Sequence, residues 1–351
     1  MKIGARFAAS PCRLCSGTER QVLATRGRGM APLTTVACSG CGLVSHHPLP
    51  DPAEVAAFYA TRYRVAYKGG WEPRRKHALR ALRGALARAA RLAHLLPAGA
   101  RVLDIGASSG EFTYAMQRAG FAARGIEPNL GYADFARRTY GVAVESCGLE
   151  AADVAPGSQA LVTLNHVLEH LADPWAALGQ IHGWLAPEGL LFLEVPNLAG
   201  VRKQTANLFH TAHIWNFTPE TLALLAWQAG FAMAMPQAQA GTSIVLRKRR
   251  DSDPAPLGAG PALAERLARQ LATTGSPLGY LWSGAPVIRR LARLRRNVDE
   301  WLVCRRHPSV RAMADAILTA PSARPPAKGR AVVSDMAYRG TMGVIGSGER
   351  T

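Results

Sequence analysis

From residue 100 onward, short apolar runs alternate with stretches whose apolar residues recur at three- and four-residue intervals. Runs of the first kind, bounded by glycine or polar clusters, predict buried strands; the second kind predicts helices laid on them. Strands are expected over 101–105, 122–127, 142–146, 160–165 and 190–195, with helices over 111–119, 133–139 and 174–184 between them. A further helix over 221–229, closed by Gly230, leads to two last strands near 231–237 and 241–247. Strands that alternate with helices build an α/β fold around a mostly parallel sheet. Ahead of this, 72–96 is rich in Ala, Leu and Arg. Its Leu79, Leu82, Leu86, Ala89, Ala93 and Leu96 fall at helical spacing, and its other face is basic. Prolines at 48, 50 and 52 break the chain before it and start a helix carrying Phe58, Tyr59 and Tyr63. Past 251–261, a linker by composition, helices are expected over 262–272, 285–303 and 309–318. The pattern divides the chain into an N-terminal module (1–50), a helical linker or cap (51–96), an α/β domain (97–250), a basic helical extension (251–320) and a Pro-, Gly- and Ser-rich tail (321–351) expected to be disordered.

Composition narrows the class. The 351 residues are 48% hydrophobic and 19% charged, enough for two or three modules and at least one sizeable core. No apolar run reaches the roughly eighteen residues of a membrane-spanning helix. The opening MKIGARFAASPC lacks an apolar signal core, which predicts a cytoplasmic protein. A formal charge of +18 favours phosphate-bearing partners: nucleic acid, nucleotide-linked substrates or an anionic membrane surface. Arginines on solvated helix faces give the same total, so charge alone names no substrate. The segment 285–306 concentrates it: Arg289, Arg290, Arg293, Arg295 and Arg296 alternate with Leu291, Leu294 and Trp301. A basic amphipathic helix of this kind fits either peripheral contact with an anionic membrane or packing on the α/β domain with its arginines in water.

Four of the six cysteines form two pairs, Cys12-x-x-Cys15 and Cys38-x-x-Cys41. Each pair offers two thiolates from one tight knuckle, and two knuckles complete a tetrahedral four-sulfur zinc site. With no open coordination position, the zinc is expected to be structural. Two disulfides are the alternative, and they conflict with a reducing compartment. His46 and His47 follow closely as substitute ligands, whereas Cys147 and Cys304 stand alone.

The stretch VLDIGASSGEF, 102–112, admits two readings. Gly106-Ala107-Ser108-Ser109-Gly110 matches G-x-S-x-G, the turn that exposes a nucleophilic serine in α/β-hydrolases. That fold needs several strands and an oxyanion loop before the serine, and here the first clear strand is the one that enters the turn. The second reading is a glycine-rich nucleoside-binding turn, which requires an acid about 20 residues on, at the end of the next strand, to hold ribose hydroxyls. Glu127 in GIEPN stands there. Asp104, just before the first glycine, would repel a pyrophosphate but suits the ammonium of S-adenosylmethionine.

VLDIGASSGEF, GIEPN and LVTLNHVLEHLADP together resemble the motifs of class I S-adenosylmethionine-dependent methyltransferases, over roughly 72–249. The resemblance implies a Rossmann-like seven-stranded methyltransferase sheet and S-adenosylmethionine as cofactor. It places Asp104, Gly106, Ala107, Ser108 and Gly110 at the methionine end, Glu127 and Pro128 at the ribose, Cys147 and Gly148 by the adenine, and Asn165 and His166 below the sulfonium. Ser108 stands where the family carries its middle glycine.

Methyl transfer to a hydroxyl requires in-line alignment and loss of a proton. By position after the fourth and fifth strands, His166, His170, His210 and His213 are the candidate bases, the last two in LFHTAHIWNFTPETL beside Trp215 and Phe217, a segment expected to act as a substrate lid. The cysteine module before such a domain resembles the zinc-containing sugar C-methyltransferases of deoxysugar biosynthesis, whose lid Tyr, Glu and His match His210, Ala212 and His213. Two of these three differ here, and 251–351 shows no second Rossmann-like pattern. A hydroxyl of a sugar, glycolipid or related small metabolite is therefore the expected acceptor. C-methylation of a nucleotide-linked keto-sugar, RNA methylation and a degenerate cofactor-binding scaffold remain as alternatives. Against RNA stands the lack of an aromatic-basic binding motif or an Asn-Pro-Pro-Tyr-like sequence.

Overall fold

The computed structural model describes residues 2–63, 70–200, 208–235, 242–273 and 285–319. The expected disordered tail lies outside these residues, as do the end of the expected strand 231–237 and the first residue of 241–247.

Four N-terminal strands, β1 (Arg6–Ala8), β2 (Glu19–Arg26), β3 (Pro32–Cys38) and β4 (Val44–His46), form an antiparallel meander. A helical stretch follows, α1 (Pro52–Ala57), continued by a π-helical turn over Phe58–Arg62. Asp51 caps α1 by accepting from the amides of Ala53 and Glu54. The amphipathic pattern at 72–96 folds as α2 (Arg75–Leu92), followed by a 3₁₀ turn at Ala93–Leu95. Ala78, Leu79, Leu82, Ala85, Ala89 and Leu92 form its buried stripe.

The α/β unit runs β5 (Arg101–Ile105), α3 (Glu111–Arg118), β6 (Ala122–Ile126), α4 (Leu130–Tyr140), β7 (Val144–Glu145), β8 (Gln159–Asn165), α5 (Pro174–Trp184), β9 (Leu185–Glu194), β10 (Trp215–Asn216), α6 (Pro219–Gln228), β11 (Phe231–Met233) and β12 (Ser243–Lys248). Its seven-stranded sheet has the order β11-β12-β9-β8-β5-β6-β7, with β12 alone antiparallel to its neighbours. This is the Rossmann-like methyltransferase sheet expected from the sequence. Differences are local. Helix α4 starts three residues before the predicted 133, because Asn129 accepts from the Tyr132 amide and caps it there. Strand β9 starts at Leu185, five residues early, because Leu185 pairs with Gln159 ahead of a register shift.

One strand departs from the expected module plan. β10, from the segment expected to be a lid, pairs antiparallel with β4 of the N-terminal meander, Trp215 opposite Ser45 and Asn216 opposite Val44. The cysteine module and the α/β unit also share a core: Cys12, Leu14, Cys38, Cys41 and Leu43 are buried in one cluster with Trp215, Phe217, Leu222 and the central strands.

Three further helices complete the chain: α7 (Pro261–Thr273), α8 (Ala285–Arg306) and α9 (Val310–Thr319). Leu263, Leu267 and Leu271 of α7 pack on Leu23, Ala37 and Val44 of the meander. α8 and α9 lie against α2, where Arg80 forms a bidentate pair with the buried Glu300 and Arg83 pairs with Asp299. No helix among the described residues is long and apolar enough to cross a membrane.

Candidate active site and cysteine centre

In parallel sheets of this kind, ligands sit outside the carboxyl ends of the strands. β5, β6, β8 and β9 end there side by side, with Ile105 opposite Ile126 and Leu164, and Asn165 opposite Glu194. The turn after β5 bends sharply back. Gly106, Ser108 and Gly110 all have left-handed backbone, at φ +69°, +53° and +86°. At Gly110 close approach adds to the requirement, since a Cβ there would lie 2.7 Å from the Ala136 methyl. The Ser108 amide donates to Glu127 Oε2 at 2.9 Å and the Asn129 amide to Oε1 at 3.2 Å. The acid after β6 is thereby pinned against the turn after β5, and Pro128 holds the bend between them.

Asp104 is buried and accepts from Thr163 Oγ1 at 2.6 Å and Asn165 Nδ2 at 3.3 Å. Burial pushes its carboxyl up to about 6; the two hydrogen bonds and the Arg88 charge offset only part of that. Cys147 and Gly148 follow β7 at the same edge of the sheet, half-buried. The predicted cofactor residues thus converge on one edge.

The four candidate histidines gather beside them in different states. His166, left-handed at φ +56°, places Nε2 3.2 Å from Glu194 and Nδ1 3.5 Å from Glu169. Burial would lower its pKa, but the two carboxylates outweigh it and raise it to about 9. Glu194 is held down at about 2 against its own burial, by His166 and by the Arg88 guanidinium that clamps it. His213 is the reverse case: burial, then the neighbouring His170, His210 and His166, lower it to about 2. The rings of His210 and His213 lie 3.8 Å apart, and those of His170 and His213 4.8 Å. His170 Nδ1 lies 2.6 Å from both the Ala212 carbonyl and the Tyr59 hydroxyl, which itself donates to that carbonyl.

Sequence reasoning missed Glu169, Glu194, Arg88 and the role of Tyr59. Glu169 sits inside HVLEH yet is 1% exposed; the signal was a lone acid flanked by Leu168 and His170 in a segment that had to be buried. Ser108 makes no hydrogen bond to a histidine among the described residues, so the nucleophile reading has no geometric support.

In the N-terminal module the Sγ atoms of Cys12, Cys15, Cys38 and Cys41 lie within 4.8 Å of one another, with Cys12 to Cys41 at 3.8 Å and Cys15 to Cys38 at 3.5 Å. Tetrahedral zinc with Zn–S near 2.3 Å puts its sulfurs about 3.8 Å apart, so the donor set fits that ion. Gly40 lets the knuckle close, since a Cβ there would come 3.1 Å from Cys15 Sγ. His46 and His47 stand outside the group.

Residues 74–234 match a family model described as a methyltransferase domain. A ubiquinone biosynthesis O-methyltransferase of Pseudomonas aeruginosa (strain LESB58) is 35% identical over 106 residues, 28% of this chain and 46% of that protein. One from Methylococcus capsulatus is 35% identical over 111 residues, 30% of this chain and 47% of that protein. The chain thus spans a little under half the length of these curated relatives. Among solved structures, the 1,6-didemethyltoxoflavin-N1-methyltransferase of Burkholderia thailandensis, determined with S-adenosylhomocysteine, is 25% identical over 59% of this chain and 96% of its own, with a TM-score of 0.45. A methyltransferase from Archaeoglobus fulgidus is 23% identical over 43% of this chain and 69% of its own, with a TM-score of 0.38. Sheet order and family match agree that residues 74–234 form a methyltransferase domain with the class I, S-adenosylmethionine-dependent fold.

Proposed function

We propose that the protein transfers a methyl group from S-adenosylmethionine to a hydroxyl of a small-molecule acceptor, a sugar, glycolipid or related metabolite. The observation that carries this reading is the convergence on one sheet edge of a buried acid near the end of β5, a second acid pinned after β6, and a histidine cluster after β8 and before β10. S-adenosylmethionine supplies the electrophilic methyl. Asp104 is placed for the cofactor's ammonium and Glu127 for its ribose hydroxyls, at the cost of releasing the Ser108 and Asn129 amides. His166, held charged between two carboxylates, is unsuited to take a proton. His170, His210 and His213 line the acceptor side, and β10 pins the loop that carries two of them. The relatives named as ubiquinone biosynthesis O-methyltransferases support oxygen as the acceptor atom.

Zinc on the four thiolates is structural in this reading. The exposed face of α8 provides peripheral contact with an anionic membrane, which suits a lipid-linked acceptor.

The test is calorimetric titration with S-adenosylmethionine, followed by transfer of labelled methyl to panels of hydroxylated sugars, sugar nucleotides and lipids. Asp104→Ala and Glu127→Ala are each expected to weaken cofactor binding by about 1.5–3 kcal/mol, the scale of a charged hydrogen bond. No binding by folded, zinc-loaded protein overturns the enzyme reading. Labelling of a keto-sugar carbon or of RNA overturns the acceptor assignment alone.

A further inference from the structure

Glu169 presents a problem that the methyl-transfer reading does not absorb. Its side chain is 1% exposed, and neither carboxylate oxygen accepts a hydrogen bond of normal geometry among the described residues. A buried carboxylate without hydrogen bonds costs several kcal/mol, which the half-exposed His166 ring, shared with Glu194, offsets only in part. Three imidazole nitrogens surround Oε1: His166 Nδ1 at 3.5 Å, His170 Nε2 at 3.8 Å and His213 Nε2 at 4.0 Å.

The tautomer of His170 sharpens the problem. Its Nδ1 lies 2.6 Å from the Ala212 carbonyl, which can only accept, so Nδ1 carries the proton. In the neutral ring Nε2 is then a lone pair, and it points at a carboxylate. A ring fixed through Nδ1–H to a backbone carbonyl, with Nε2 directed inward, is the usual outer-shell arrangement of a metal-bound histidine. His213 approaches from the other side of the cluster, its ring 4.8 Å from that of His170.

We infer that Glu169, His170 and His213 bind a divalent first-row transition metal ion through one carboxylate oxygen and two Nε2 atoms. The three donor atoms lie within 4.8 Å of one another. A tetrahedral shell with bonds of about 2.0–2.1 Å separates its ligand atoms by roughly 3.3 Å. The two carboxylate–imidazole spacings of 3.8 and 4.0 Å exceed that by about 0.5–0.7 Å, so the three side chains would draw inward to close on an ion. Two imidazoles favour ions such as Zn²⁺, Co²⁺ or Fe²⁺ over Mg²⁺, which prefers an all-oxygen octahedron. His166 Nδ1 also faces Oε1, at 3.5 Å, so an ion competes with it for that oxygen; the ring is half-exposed and Glu194 holds its other nitrogen. Three protein ligands leave one position open, at the edge of the sheet where the acceptor is proposed to sit. A hydroxyl oxygen entering that position would be oriented and made more acidic. That role rests on the proposed reaction, whereas metal binding does not.

Cobalt titration of the metal-stripped full chain separates this site from the cysteine centre. Co²⁺ bound by thiolates gives strong sulfur-to-metal charge-transfer bands, and Co²⁺ bound by nitrogen and oxygen does not. Wild-type protein is expected to bind two equivalents, one with those bands and one without. Glu169→Gln and His213→Ala are each expected to bind only the first, with the thiolate bands and the thermal melting profile retained. For any variant that loses the melting transition, His213→Gln replaces it in the same measurement. One equivalent in the wild type, or two in folded Glu169→Gln, overturns the proposal and leaves an imidazolium–carboxylate pair instead. Binding of S-adenosylmethionine is measured in parallel, so failure of the methyltransferase reading shows separately.

Discussion

The proposed contact of Asp104 with the cofactor's ammonium ties recognition to pH. Burial raises its carboxyl to about 6, so in the free protein it is protonated below that value. An ammonium ligand favours the charged form, so affinity for S-adenosylmethionine is expected to be level above about pH 7 and to fall as pH drops through 6. Calorimetry between pH 5 and 8 should show this trend, and Asp104→Asn should bind weakly with no such slope; an equal slope in that variant refutes the assignment. Ser108 carries a prediction of the opposite kind. Its left-handed φ of +53° costs about 1–2 kcal/mol in a residue with a Cβ, part of which glycine's extra chain entropy would take back. Ser108→Gly should therefore be neutral to about 1 kcal/mol more stable in thermal melts, and Ser108→Ala should retain methyl transfer. Loss of activity in Ser108→Ala would reinstate the serine as a nucleophile. Asp104 and Glu127 were legible in the sequence because a turn after a strand and an acid after the next are local patterns. Glu169 was not, because only tertiary packing decides that an acid beside His166 and His170 goes inside, among three imidazoles.

Among elements, the informative pairing is β4 with β10. Two residues carry no periodic signal, and strands 170 positions apart announce no partnership, so 208–222 reads as a substrate lid. In the fold its Trp215–Asn216 is a fifth strand of the cysteine module's sheet. The His46 amide donates to Ile214 O at 3.0 Å and the Arg28 amide to Phe209 O at 2.7 Å, fixing the loop of His210 and His213 from both sides. Arg13, next to Cys12, pairs with Asp173 at 2.8 Å and lies over the Trp175 ring, while Gln228 donates to the Leu14 carbonyl. The Cys-x-x-Cys spacing was plain from the sequence; what the module supports was not. Stripping the proposed zinc, or Cys38→Ser, is therefore expected to raise acceptor KM and lower kcat more than it weakens S-adenosylmethionine binding, whose proposed residues lie on β5, β6 and the turns after them. Steady-state kinetics beside cofactor calorimetry distinguish the two. Equal losses in both would mean general unfolding rather than a displaced histidine loop.

At the scale of the whole molecule, the +18 charge that left the partner open in the sequence is distributed unevenly. Part of the basic face of α2 is internal to the fold: Arg80 and Arg83 dock α8 through Glu300 and Asp299, and Arg88 clamps Glu194. Of the acids of α8, Glu300 is buried and Asp299 is held to α2 in an exposed pair, and the helix keeps Arg290, Arg293, Arg295, Arg296, Arg305 and Arg306 exposed around a stripe of Leu291, Leu294, Val298, Trp301 and Leu302. Trp301 alone is 55% exposed, with the Arg305 guanidinium 4.6 Å from the centre of its ring. Apolar side chains at helical spacing, rimmed by arginine, match the interface of an anionic bilayer, where each basic residue contributes about 1 kcal/mol. Removing α8 outright would be a poor test, because α9 beyond it buries Met313 and Ala314 in the fold. Point variants keep the docking intact: Leu294→Glu and Trp301→Glu alter the stripe while Glu300 and Asp299 stay paired. Wild-type protein should sediment with phosphatidylglycerol vesicles at low salt, much less at 0.5 M salt where the Debye length shrinks to roughly 4 Å, and not with phosphatidylcholine vesicles. Both variants should remain in the supernatant. If they sediment as the wild type does, the arginines act elsewhere on the surface and α8 is not the contact.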